Sequence, residues 1–218
     1  MTEPKKGGIN LGSAISAMGG VWAILPDALK SAVAAISGDV AGELRARVGD
    51  QMHKAQPAGG AIAVLPIHGV ITQRESWLTM LFGGTGTDAF GAAFDEVANS
   101  TAVSAIVLDI DSPGGSVYGV AELAGKIHAA RKPGRPIWAI ANSLMASAAY
   151  WIGSAADKLF VTPSGEMGSI GAMSIHVDQS EALTEAGLKV TFVYAGEYKV
   201  EGNEAEPLGD EAHAEMQR

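Results

Sequence analysis

The feature that most constrains the fold of this chain is a regular alternation of strand-like and helix-like runs that begins at Ala61. Residues 61–72 are predicted to form either a strand pair or one strand that bends at Gly69, and residues 87–99 carry apolar side chains at the three-to-four spacing of a helix. The order continues as strand 102–110, helix 117–131, strand 136–141, helix 146–156, strands 158–162 and 168–177, helix 179–187, strand 189–195 and a helix start near 209. This alternation predicts an α/β fold with a mostly parallel sheet and crossover helices.

The first 58 residues differ from this pattern and are predicted to form an N-terminal helical arm with a linker. An amphipathic run opens at Trp22 and continues through Ile36, and a Pro-Ala-Gly-Gly sequence at 57–60 is typical of a linker. Residues 59–218 are predicted to form the second, larger domain. Because its last helix ends about two turns after it begins, we expect this domain to be truncated at its C-terminus.

Composition excludes several classes of protein. The chain contains no cysteine, which removes disulfides, thiol nucleophiles and cysteine-based zinc sites. The net charge is −9 and the basic residues are scattered, so we expect no nucleic-acid groove. No stretch reaches the ~18–20 apolar residues that span a bilayer, so we expect a cytoplasmic protein. The glycine-rich loop at 83–87 lacks the lysine of a phosphate-binding loop and is interpreted as a connector. We expect no metal and no cofactor.

Ser147 is the first candidate for chemistry. It lies where a strand-like run, 137–141, passes into a helix, and the first turn of a helix has free backbone N–H groups. Such donors stabilise an oxyanion, so a serine at this point is a candidate nucleophile. The alternative is that Ser147 only caps the helix or serves as a small packing residue.

Two glycine-containing segments add to this candidate. Gly114 and Gly115 follow a strand-like run, and glycine allows the backbone both a positive φ and a close approach to a ligand. Their N–H groups are therefore candidates for binding a peptide or an oxyanion. Residues 166–172 form a strand-like piece punctuated by glycines, although either segment alone is also typical of an ordinary turn.

In their order and spacing, these segments resemble the signal peptide peptidase A family of serine peptidases, which shares its fold with the Clp protease and the crotonases. The resemblance is carried by Ser-Pro-Gly-Gly at 112–115, the small residues with an aromatic at 146–150, Gly-Ser-Ile-Gly at 168–171 and Gly-Glu-Tyr-Lys at 196–199. It covers about residues 61–208. One departure is the alanine pair at 148–149, where the family usually has glycines.

The resemblance implies a role for each matching residue. Ser147 would be the nucleophile, Lys199 the general base, and Ser169 the residue that orients the lysine. Gly114 and Ala148 would supply the N–H groups of the oxyanion hole. An extended protein substrate would lie along Gly115, Gly168, Ile170 and Gly171.

The lysine base carries its own requirement. A lysine accepts a proton only when it is neutral, so we expect a buried Lys199 ammonium without a carboxylate partner, although Glu197 and Glu201 flank it. The alternative is a solvated loop lysine. A Ser-His-Asp triad is a second arrangement, because His176 and Asp178 lie downstream of the serine and share one face of the predicted strand. The family motif favours the serine–lysine dyad.

The resemblance also implies a function and partners. Trp-x-Ile-x-Pro at 22–26 resembles phage-encoded members of the family, so we expect a protease that cleaves scaffold or capsid protein in the host cytoplasm or the viral prohead. The alternatives are a cellular peptidase that degrades signal-peptide remnants and a non-enzymatic structural component of the capsid. Because the family assembles into rings or domes, a homo-oligomer is expected, with an active site shared between subunits.

Overall fold

A computed structural model describes residues 22–24, 60–74 and 83–218. These residues belong to two compact units, divided between Met173 and Ser174. The unit before the division contains the sheet and most of the helices, and the unit after it contains two short helices joined by irregular segments.

The helices and the longer strands follow one another in the predicted order. In sequence they are β1 Trp22–Ile24, β2 Ala61–Thr72, β3 Gly84–Gly86, α1 Thr87–Asn99, β4 Val103–Ser116, α2 Val120–Ala129, β5 Ile137–Ala146, α3 Ala148–Ser154, β6 Lys158–Val161, β7 Glu166–Gly168, α4 Ser180–Glu185 and α5 Asp210–Met216. None of the helices in the described part of the chain is long and apolar enough to cross a bilayer.

One sheet of seven strands organises the first unit. Its main path runs β3-β2-β4-β5-β6, and every neighbouring pair along it is parallel. β7 extends the sheet by pairing in parallel with the end of β5, whereas β1 pairs antiparallel with the end of β4. The predicted α/β architecture with a mostly parallel sheet is therefore confirmed.

The core lies between one face of this sheet and helices α1, α2 and α3. Alternate residues of β4 and β5 point into it, among them the fully buried Ile106, Leu108 and Ile137. Phe94 of α1 and Ile127 of α2 cover them from the helix side, and both are also fully buried. This packing places the carboxyl ends of β4 and β5 side by side, where ligand sites gather in parallel sheets.

Some predicted boundaries were wrong. β4 runs through Ser116 rather than ending near 110, because its last residues pair with β2 on one edge and with β1 on the other. The predicted strand 168–177 does not form beyond Gly168, because the chain turns there: Ser169 has φ 54° and Gly171 has φ 143°, both outside the strand region. Residues 189–195 form no strand, because this segment pairs with no other strand among the described residues, whatever its β-propensity.

The predicted N-terminal helical arm lies outside the described residues, except at its proposed start. There, Trp22–Ile24 is a strand and not the opening of a helix. Gly84–Gly86, predicted to be part of a loop, pairs with Val70–Thr72 as β3. Both short strands form through pairing with distant parts of the chain, which local periodicity does not report.

Candidate active site

Ser147 lies at the tight junction between β5, which ends at Ala146, and α3, which begins at Ala148. Its backbone has φ 56° and ψ −116°, a combination that non-glycine residues rarely adopt. Strained backbone of this kind costs about 1–3 kcal/mol and clusters at active sites. The junction therefore holds this serine in an orientation that an ordinary helix start does not require.

The hydrogen bonds of Ser147 differ from those of a capping serine. Its side chain makes no capping bond to α3; the hydroxyl instead donates to the carbonyl oxygen of Gly171 at 3.3 Å. Its backbone N–H donates to the carbonyl oxygen of Gly168 at 2.8 Å, and its carbonyl accepts the N–H of Trp151 at 2.9 Å. The capping role that the sequence left open for the hydroxyl is thus wrong, and Gly168 and Gly171 are brought directly against Ser147.

Gly114 lies beside this junction at the end of β4. The last pairing of β4 with β5 joins Ser112 to Met145, two residues before Ser147. Gly114 is buried, with φ 96°, and its N–H donates to the Ser112 hydroxyl at 3.1 Å. That hydroxyl in turn donates to the carbonyl oxygen of Gly69 at 2.6 Å. The N–H predicted to bind an oxyanion is therefore engaged by a side chain in this structure.

Ser112 is the residue of this site that the sequence analysis missed as a functional group. It is fully buried and bonds both the bend of β2, at Gly69, and the candidate oxyanion donor, at Gly114. The only sequence signal was its place at the start of Ser-Pro-Gly-Gly. Residue type alone did not distinguish it from a turn serine, because its partner at Gly69 is 43 residues distant.

Glycine is required at position 115 because the backbone of β4 packs closely against that of β2 there. A Cβ atom at this position would lie 1.9 Å from the carbonyl oxygen of Ile71 and 2.6 Å from its N atom. Only glycine allows β4 to approach β2 this closely at the site. The close approach observed here is to a neighbouring strand, and the predicted contact of Gly115 with a substrate stays a prediction.

An apolar cavity of about 430 Å³ opens beside Ser147. Its lining residues are Val117, Ser147, Tyr150, Trp151, Ser154, Ile170, Gly171 and Ala172. Ile170, expected to contact substrate, is 82% exposed at its rim. The geometry places a space large enough for a side chain next to the candidate nucleophile.

Ser169, the predicted lysine-orienting residue, directly follows Gly168, the last residue of β7. It has φ 54° and is exposed, and Gly168 before it has φ 136°. The strain at Ser169 follows from the sharp departure of the chain from β7. Its role toward a lysine stays a prediction.

Lys199 belongs to the second unit, where it lies in a turn after Gly196, to whose carbonyl oxygen its N–H donates at 3.3 Å. Its side chain is exposed. The expectation of a buried ammonium is therefore wrong for the single chain, because a surface turn leaves the long side chain in water. Within the described residues it forms no ion pair with a carboxylate.

The alternative histidine base has other partners within the same unit. The Nε2 atom of His176 lies 2.8 Å from the carbonyl oxygen of Asn203. Asp178 accepts the N–H of Ser180 at 2.9 Å, and hydrogen bonds from Ser180, assisted by the nearby His176, lower the pKa of its carboxyl. No hydrogen bond joins His176 to Asp178 among the described residues, so the geometry of a triad is absent from this unit.

Comparison with known proteins agrees with the site geometry. Residues 129–218, which include Ser147 and Lys199, match Peptidase family S49. This match covers 90 of the 218 residues of the chain; it begins at the last residue of α2 and includes β5 and α3. The predicted family resemblance is thus confirmed.

Two phage proteins are among the proteins to which this chain is similar. The head-tail preconnector protein GP5 of Enterobacteria phage P21 is 37% identical over 157 residues, which cover 72% of this chain and 31% of that protein. The capsid assembly protease C of Escherichia phage lambda is 36% identical over 186 residues, covering 85% of this chain and 40% of that protein. Protease 4 of Salmonella typhi is 32% identical over 130 residues, 60% of this chain and 20% of that protein. The chain thus spans less than half the length of these relatives.

Proposed function

We propose that this chain carries the catalytic centre of a serine endopeptidase in which Ser147 is the nucleophile and Lys199 the general base. The observation that carries the proposal is the strained backbone of Ser147 at the β5–α3 junction, beside an apolar cavity and with its hydroxyl free of any capping bond. The similarity of residues 129–218 to a peptidase family supports the same chemistry.

The proposed reaction is acyl transfer in two steps. The Oγ atom of Ser147 attacks the carbonyl carbon of the scissile peptide bond, and its proton passes to the neutral amine of Lys199. The oxyanion is bound by the N–H groups of Gly114 and Ala148. As the intermediate collapses, the protonated lysine gives that proton to the leaving amine. Water, deprotonated by the same lysine, then releases the acyl group and restores the serine.

Two features of the site must change for this reaction. The N–H of Gly114 donates to the Ser112 hydroxyl at 3.1 Å, so the oxyanion must compete for it or share it. Lys199 is exposed, yet it must lose its charge, which burial favours. We propose that assembly supplies this burial, with Lys199 of one copy completing the site around Ser147 of another.

The proposed substrate is scaffold or capsid protein during phage head maturation. The support is the similarity to a capsid assembly protease and a head-tail preconnector protein, each more than 35% identical to this chain. The apolar cavity beside Ser147 favours a substrate with an apolar side chain next to the cleaved bond. A cellular peptidase that removes signal-peptide remnants is the second candidate, supported by the similarity to Protease 4.

The first test is cleavage of an unfolded apolar polypeptide, followed by mass spectrometry. The parent chain is compared with Ser147→Ala and Lys199→Ala, and both variants are expected to lose at least about 10³-fold in rate. Ser143→Ala and Lys189→Ala are the matched controls, since both residues are exposed and outside the proposed dyad. His176→Ala is expected to stay active; an inactive His176→Ala with an active Lys199→Ala would replace the dyad by a histidine-based mechanism.

A mixing experiment tests the shared site. Ser147→Ala and Lys199→Ala chains, each inactive alone, are expected to regain activity together if serine and lysine come from different copies. Unchanged inactivity of the mixture, with an active parent, would place both residues in one subunit. If the parent chain cleaves nothing in any oligomeric state, a structural role in the capsid is favoured instead. The observation that supports this role is the exposure of Lys199, because an exposed lysine keeps its charge and cannot act as a base.

A further inference from the structure

The pairing of β1 with the end of β4 has no role in the proposed reaction. Trp22, Ala23 and Ile24 pair antiparallel with Ser116, Gly115 and Gly114 in that order. The end of β4 is therefore a strand edge that pairs with a segment from the N-terminal part of the same chain. This contact joins residues 90 to 94 positions apart in sequence, at the part of the site predicted to bind substrate.

The edge that β1 occupies follows from the rest of the sheet. A strand has two hydrogen-bonding edges, and at Gly114 and Gly115 one of them already pairs with Val70 and Ile71 of β2. β1 must therefore use the other edge, the one that pairs with β5 up to Ser112. β5 leaves that edge to turn into the Ser147 junction, and β1 fills the gap directly beside it.

This position is where the proposed function places an extended substrate. In antiparallel pairing, Ile24 lies opposite Gly114, whose N–H is the proposed oxyanion donor. Addition of a peptide strand to a free edge relies on main-chain hydrogen bonds, so two strands cannot occupy the edge together. The segment is also apolar in sequence, as is the cavity next to Ser147.

We propose, on the basis of the proposed peptidase function, that Trp22–Ile24 is an internal occupant of the substrate-strand position and must leave Gly114–Ser116 before a substrate binds. The chain then regulates its own site by competition. A tethered strand competes at a high effective concentration, so a free substrate binds only after the N-terminal segment is displaced.

Two adjacent proline substitutions in the full chain test the pairing. Successive N–H groups of a strand point to opposite sides, so only one of Ala23→Pro and Ile24→Pro removes a donor that faces β4. The other variant is its matched control. All chains also carry Ser147→Ala to prevent self-cleavage, and thermal unfolding checks that each is folded.

The first readout is binding of a labelled peptide with the sequence of residues 21–25, and a scrambled peptide is the control. The effective variant is expected to bind it at least about fivefold more tightly than the parent, the factor expected for one lost backbone hydrogen bond. Amide exchange at Gly115 and Ser116 is expected to quicken by a similar factor in that variant and to slow again when the peptide is added; the N–H of Gly114 is left out because it donates to the Ser112 hydroxyl. In the unaltered chain the peptide is expected to leave this exchange unchanged, because the edge is filled.

The outcomes separate this inference from the proposed function. Equal peptide binding and equal exchange in folded parent and variants would overturn the inference, whether or not the chain cleaves. Slowing of exchange in the unaltered chain on peptide addition would overturn it as well, and this measurement needs no substitution. Tighter binding by the variant supports the inference even if no chain containing Ser147 cleaves, in which case only the peptidase function fails.

Discussion

The substitution Gly115→Ala tests whether close packing of β4 against β2 builds the candidate site. A Cβ atom at this position would lie 1.9 Å from the carbonyl oxygen of Ile71, whereas ordinary contact begins at 3.4 Å. The difference, 3.4 Å minus 1.9 Å, requires the two strands to separate by about 1.5 Å. Because the atoms that clash belong to the backbone, no side-chain rotation relieves the overlap.

The expected cost is at the upper end of the range for overpacking, about 3 kcal/mol in the free energy of unfolding. With a typical urea dependence of about 2 kcal/mol per molar, the midpoint of urea unfolding should fall by about 1.5 M. Separation of the strands also displaces the N–H of Gly114, so peptide cleavage should fall by about 10²-fold or more.

The matched control is Gly125→Ala. Gly125 lies in α2, and a Cβ atom there would meet nothing within 4 Å. Alanine is the better helix former, so this variant should gain about 0.5–1 kcal/mol. Equal unfolding midpoints for Gly115→Ala and the parent, measured by circular dichroism in urea, would refute the argument that β2 and β4 meet too closely for any side chain.

Two further substitutions test single buried contacts. Ser112→Ala removes the hydroxyl between Gly69 and Gly114 and should lower the free energy of unfolding by about 2 kcal/mol, since a buried N–H group and a partly buried carbonyl group lose a partner; an unchanged urea midpoint would contradict this. Asp157 accepts the Ile137 N–H at 2.8 Å, which lowers the pKa of its carboxyl below the ordinary 3.8. Because a lowered pKa stabilises the fold above that value, Asp157→Ala should cost about 1–2 kcal/mol at pH 7 and progressively less as the pH falls below 4; a cost that stays constant with pH would exclude this linkage.

Much of the fold was predictable because hydrophobic periodicity and glycine positions indicate local structure. The helix 87–99 was predicted with the bounds that it has, since its apolar residues recur at helical spacing and Phe94 becomes fully buried. The bend at Gly69 was predicted from residue type, and Gly69 has φ 66° with a register shift beside it. The alternation of elements gave the parallel sheet, because crossover helices leave few other arrangements.

The site was predictable only in part. The sequence placed Ser147 at a strand–helix junction, but it left open a capping role that the Gly171 contact contradicts. It gave Lys199 as a base and expected burial, whereas the side chain is exposed in the single chain. A motif identifies residue types and their order, but it does not show how exposed each side chain is in the folded chain.

The sequence by itself determined the helices and the longer strands from residue 61 onward, their order and the residues that carry the family pattern, because these depend on side-chain periodicity and on where glycine is tolerated. Only the tertiary structure decided three further contacts: the hydrogen bond of the Ser112 hydroxyl to Gly69, the close approach of Ile71 that requires glycine at 115, and the pairing of β1 with the end of β4. Each of them joins residues distant in the chain and involves at least one backbone group. Such contacts are nearly independent of local sequence, and they form only when the whole sheet brings the strand ends together.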